Sequence, residues 1–188
     1  MTADQTFHAL PCRGELRASI ILLHGYTSQA PGHGPRDDGR LARIAALPDE
    51  VRPAAIHDIA REWIAELPVL VANCQRRGSK RIGLVGISMG GFAALGALTP
   101  PCPFAAIAAA LAAPTLLDQT IATPGQPPVF VGLAGKDTAV PPEPGRRFAH
   151  SYGAELHEYP ESEHFMRGED WHDLWRKTAA FLHQHLIN

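Results

Sequence analysis

Three short apolar runs rich in branched side chains dominate the sequence: residues 19–23 (Ser-Ile-Ile-Leu-Leu), 81–87 (Arg-Ile-Gly-Leu-Val-Gly-Ile) and 129–133 (Val-Phe-Val-Gly-Leu). Each leads almost directly into a loop marked by glycine. Continuous rather than alternating hydrophobicity is the mark of strands buried on both faces, which requires helices above and below the sheet. Segments at helical spacing stand between and after the runs: Ile56, Ile59, Trp63, Leu67, Leu70 and Cys74; Phe92, Leu95 and Leu98; and Trp171, Leu174, Trp175, Thr178, Phe181, Leu182 and Leu186. Alternating strands and helices predict an α/β fold, a three-layer sandwich around a mostly parallel sheet. Pro53 suits a first helical turn, Pro68 is expected to kink or split the helix it sits in, and Pro100-Pro101 stops the next one. The Ala-rich stretch 104–111 is read as a strand from its position, 143–152 as a helix, 155–159 as the last strand and 7–10 as an edge strand.

The 188 residues match one domain, 1–188, at about 150 residues per domain. Seventeen basic and nineteen acidic side chains leave a net charge of -2, without a basic block able to neutralise a run of phosphates, so nucleic acid is a poor partner. The longest apolar run, 104–114, falls far short of the ~20 residues of a membrane span. The first residues lack the basic and apolar regions of a secretion signal, so a cytoplasmic protein without a membrane partner is expected. Cys12, Cys74 and Cys102 form neither a disulfide framework nor a zinc motif.

Gly86-Ile87-Ser88-Met89-Gly90 fits G-x-S-x-G, with a strand before it and a helix after it. A Cβ at Gly86 or Gly90 would crowd the sharp turn that presents Ser88, and the helix N-terminus behind offers N–H groups to a developing oxyanion. His24-Gly25 follows the first strand, Asp137 lies in Ala134-Gly135-Lys136-Asp137 after a later one, and His164 lies in Glu163-His164-Phe165 after the last. Serine, aspartate and histidine in this chain order match the order found in hydrolases.

On these residues the sequence resembles the α/β-hydrolase superfamily, and within it the small carboxylesterases and the dienelactone-hydrolase-like and prolyl-oligopeptidase-like enzymes. The resemblance covers residues 19–186 and implies Ser88 as nucleophile, His164 as general base and acid, and Asp137 as the carboxylate that orients it. It also implies an oxyanion hole from the backbone N–H groups of Tyr26 and Met89, with no metal and no cofactor. The roles are chemically coherent, because a serine hydroxyl needs a neutral imidazole to take its proton, and the imidazole needs a carboxylate to hold one tautomer.

The family normally places a helix and a strand after the His-Gly turn, whereas here only residues 27–30 separate Tyr26 from Pro31. The preferred reading is that a helix and a strand are missing. The other parse makes 41–47 that helix and 51–56 that strand, but Pro53 argues against a strand there. A smaller sheet leaves an unpaired edge, which favours a homodimer or a cover of residues 31–39.

Asp118 rivals Asp137, and His157 and His172 rival His164. Asp137 is preferred because it follows the clearest late strand, at the place the resemblance implies. His157 lies within a strand and His172 within a helix, neither of which frees a loop side chain. Glu161 and Glu163 read as solvated, His24 as a brace for the oxyanion loop, and His33, Asp37 and Asp38 as turn residues rather than metal ligands. Met89, Phe165 and Met166 either line an acyl pocket or join the core. The segment 113–126 is too short for a multi-helix lid, so an open site for short acyl esters of small molecules is expected. Thioesters, lactones and small peptides use the same apparatus, and a ligand-binding protein without turnover is the alternative of another class.

Overall fold

In the computed structural model, which describes residues 17–25, 40–117 and 126–187, five parallel strands form one sheet. They are β1 (Ala18–Leu23), β2 (Arg81–Ile87), β3 (Ala106–Ala110), β4 (Val129–Ala134) and β5 (Glu155–Tyr159), side by side in chain order. The register sets Leu23 beside Gly86, Ile87 beside Ala110, Ala110 beside Gly132 and Ala134 beside Tyr159. All five C-terminal ends therefore meet one edge of the sheet, where loops gather.

The helices are α1 (Arg40–Ala45), α2 (Arg52–Arg76), α3 (Met89–Gly96), α4 (Pro142–Tyr152) and α5 (Gly168–Leu186). One sheet face carries Ile21, Leu23, Leu84, Ile107 and Val131 against α2, α3 and α4. The other face carries Val85, Ala108 and Phe130 against Leu174, Phe181, Leu182 and Leu186 of α5. The expected three layers are thus present, and the stripe read along α5 is the buried one. The alanines of β3 are buried on both faces. That burial, not intrinsic propensity, makes a helix-favouring sequence extended.

Residues 26–39, where a helix and a strand were expected to be missing, lie outside the described residues. β1 pairs with β2, and no described strand lies beyond it. Residues 51–56 lead into α2, with Pro53 in its first turn, so they form no strand. A short helix, α1, stands before α2 and packs on it. Ile20 and Leu22, on the α5 side of β1, are 54% and 58% exposed, because α5 reaches β2, β3 and β4 rather than β1.

One expectation needs correction: Pro68 does not split α2, which runs unbroken through it. Pro68 lies on the exposed face, while Ile59, Trp63, Leu67, Val71 and Cys74 form a buried stripe on both sides of it. Burial along that stripe outweighs the one backbone hydrogen bond a proline removes. Cys74 and Cys102 are free thiols. No helix among the described residues is long and apolar enough to cross a membrane. The expected edge strand at 7–10, the loop at 29–39 and Cys12 lie outside the described residues.

Candidate active site

β2 ends at Ile87 and α3 begins at Met89, so Ser88 carries the whole reversal, at φ 51° and ψ −115°. A left-handed φ in a non-glycine residue is strained and persists only where its surroundings hold it. Here the Ser88 N–H donates to Ala110 O at 2.8 Å, and the Gly90 N–H donates to His24 O at 3.2 Å, tying the turn to the ends of β3 and β1. Among the described residues the other non-glycine residue with positive φ is Leu111, and both line the same cleft. A Cβ on Gly86 would run into the backbone carbonyl of Gly90, and one on Gly90 into that of Leu23. Both glycines of the motif are therefore required by close approach.

The Ser88 hydroxyl lies 3.0 Å from His164 Nε2, and His164 Nδ1 lies 2.7 Å from Asp137 Oδ2. Asp137 follows β4 and His164 follows β5, so the register of the sheet brings both loops beside Ser88. The Asp137 side chain is 1% exposed. Its Oδ1 accepts the N–H groups of Ala139 at 2.9 Å and Val140 at 2.8 Å, leaving Oδ2 for the imidazole. A carboxylate only accepts, so Nδ1 carries the ring proton and Nε2 turns its lone pair to the serine. A hydroxyl so placed can give up its proton as it attacks a carbonyl. Met89 opens α3, where an N–H has no acceptor within the helix.

Tyr26 and the rival Asp118 lie outside the described residues, as do His33, Asp37 and Asp38. His157 stacks on Phe130 within β5 and hydrogen-bonds Glu155, and His172 is exposed on α5. His24 donates from Nδ1 to Gly25 O at 2.8 Å and meets Trp63 edge to face. Met89 is fully buried in the core, whereas Phe165, 79% exposed, and Met166 line the cleft.

Two ties on the histidine loop were not read from the sequence. Ser162, fully buried, donates to Asp170 at the start of α5 over 2.5 Å, and the Lys136 N–H donates to Ser162 O at 2.8 Å. Lys136 also pairs with Glu161, whose carboxyl it holds below its ordinary range, but both side chains are more than half exposed. Solvent screens the second tie, so the first one holds the loop. Ser162→Ala is expected to lower any turnover that depends on His164 about tenfold by loosening the imidazole, while Lys136→Ala leaves it within about twofold. Turnover assays on both variants check this, and the reverse order would reassign the loop's support.

The Ser88 and His164 side chains line a cleft of about 750 Å³. Most of its lining is apolar, including Ile56, Phe92, Leu111, Val140 and Pro141. α2 contributes two residues that sequence reading passed over, Arg52 and His57. Burial, with Arg61 nearby, holds the His57 imidazole below its ordinary range. The signal available in the sequence was the four-residue spacing of Arg52 and Ile56, and of Pro53 and His57, on one face of the first turns of a helix.

No protein-family model and no curated protein matches the sequence. Solved structures do match its fold. A cold-adapted esterase from an Arctic intertidal metagenomic library superposes with a TM-score of 0.66 at 19% identity, over 94% of this chain and 86% of that one. A protein of unknown function from Agrobacterium tumefaciens gives 0.64 at 16% identity, over 98% and 99%. A thermophilic esterase of Thermogutta terrifontis, with butyrate bound, gives 0.60 at 15% identity, over 90% and 83%. The chain shares the α/β-hydrolase fold with them.

Proposed function

We propose that this protein is a serine hydrolase that cleaves small carboxylic esters with short acyl groups. The observation that carries the reading is the pair of hydrogen bonds from Ser88 to His164 and from His164 to Asp137, built on a strained turn that lines an apolar cleft. The fold shared with esterases supports it.

In this mechanism Ser88 Oγ attacks the ester carbonyl and passes its proton to His164 Nε2. The imidazolium that forms is stabilised by the buried Asp137 carboxylate. The tetrahedral oxyanion takes hydrogen bonds from the Met89 N–H and, by the family resemblance, the Tyr26 N–H. Collapse of the intermediate sends the His164 proton to the departing alcohol and leaves an acyl group on Ser88. Water then repeats the sequence, with His164 as base, and frees the acid. No metal or cofactor takes part.

A fluorophosphonate probe is expected to label Ser88 in the native protein and to fail on the Ser88→Ala variant and on heat-denatured protein. Labelling needs an activated serine, so a native protein that stays unlabelled would favour a binding protein on this scaffold. Rates across 4-nitrophenyl esters are expected to peak at short chains, and a maximum at long chains would refute the open site.

A further inference from the structure

The first turns of α2 set Arg52 and His57 on the cleft wall. Thr115 joins them from the segment after β3, with its hydroxyl 3.1 Å from His57 Nε2. However that hydroxyl and the imidazole share their proton, one hydrogen-bond donor of the pair stays free. The Arg52 guanidinium is held by the Leu47 carbonyl at 2.7 Å, by the Ala45 carbonyl at 3.4 Å and by Asp49 at 2.7 Å. Asp49 is 86% exposed, so solvent weakens that pair. Arg52 Nε is buried and has no acceptor. Among the described residues no aspartate or glutamate lines the cleft.

The wall also lies at a useful distance from the nucleophile. Phe92 stands one helical turn after Ser88, with its N–H on Ser88 O at 3.0 Å, and the His57 ring meets the Phe92 ring edge to face at 4.8 Å. A turn of about 5 Å and one ring contact match the span of a short acyl chain. A cation and a donor pair on the wall of an apolar pocket suit one terminal group best, a carboxylate, which accepts a charge-assisted hydrogen bond from the one and a neutral hydrogen bond from the other.

We propose that Arg52, His57 and Thr115 select esters whose acyl chain ends in a carboxylate, that is, half esters of short dicarboxylic acids. The proposal rests on the hydrolase reading above and specifies its substrate class. The test uses the whole protein in a pH-stat with the monomethyl esters of glutaric, adipic and pimelic acids. Each is compared with the methyl ester carrying an isopropyl group in place of the carboxylate, and with the corresponding ω-amino methyl ester.

The best half ester is expected to exceed its isopropyl counterpart in kcat/KM by about tenfold or more, with the amino ester slowest. Arg52→Gln should remove most of that ratio. Because Arg52 also holds the chain before α2, that variant can fail to fold, and His57→Phe, which keeps the ring contact, and Thr115→Val provide an independent reading. Each should reduce the ratio, and a ratio unchanged in all folded variants would overturn the proposal. Equal or faster hydrolysis of the isopropyl ester by the wild type would overturn it too, while leaving the hydrolase reading standing. No turnover of any ester, together with an unlabelled Ser88, would bring down both.

Discussion

Ser88→Ala and His164→Ala are each expected to lower kcat for a short ester by roughly 10⁴ to 10⁶, and the double variant to fall little further, because the groups act as one unit. KM should move little, since Ile56, Phe92, Leu111 and the rest of the cleft wall are untouched. Asp137→Asn is expected to cost up to about 10⁴, for a reason visible in the hydrogen bonds. The Ala139 and Val140 N–H groups claim one side-chain oxygen at position 137. In the variant the amide oxygen stays with them, and the amide nitrogen faces His164 Nδ1. The imidazole must then accept at Nδ1 and carry its proton on Nε2, where it can no longer take one from Ser88. Steady-state kinetics of the four variants decide the matter. A single variant that retains a tenth of wild-type turnover would remove its residue from the mechanism.

Gly90→Ala is expected to destabilise the fold by about 2 to 4 kcal/mol, lowering the melting temperature by about 4 to 16 °C. The added Cβ would overlap the Leu23 carbonyl and lie too close to that of His24. Both belong to backbone that cannot rotate away as a side chain would. Relief requires β1 to shift, and β1 is held on one side alone among the described strands. Gly78→Ala provides the contrast: its φ is +96° but its Cβ would meet nothing within 4 Å, so its cost is backbone strain of about 1 kcal/mol. Thermal melts of the two variants with similar midpoints would refute close approach as the reason for glycine at 90.

The parts of the molecule that could be read in advance share a physical basis. β2 and β4 were legible because strands buried on both faces carry unbroken apolar runs; β1 carries such a run too, although the expected burial holds for one of its faces alone. Ser88 was legible because a strand-to-helix reversal tolerates few residue types, and glycine at 86 and 90 leaves a local trace of it. β3 was harder, since alanine favours helix and burial between two neighbours decides otherwise. Pro68 misled because the penalty of a proline is local, while the stripe from Ile59 to Cys74 that overrides it is a property of the packed helix.

Arg52 and His57 left no more than a shared helix face in the sequence, and Ser162 left no trace. Nothing in the order of residues says that a helix start so far along the chain from the Asp137 and His164 loops will wall the same cleft as Ser88, or that Ser162 will reach Asp170.

By itself the sequence determined the alternation of strands and helices, the bend at Ser88 and the chain order of serine, aspartate and histidine, because each rests on near neighbours along the chain. Only the tertiary structure decided the 3.0 and 2.7 Å contacts, the bare outer face of β1 and the polar wall of the cleft. Those depend on which strands lie side by side and in what register, and burial summed over the whole sheet sets that arrangement rather than any short stretch of residues.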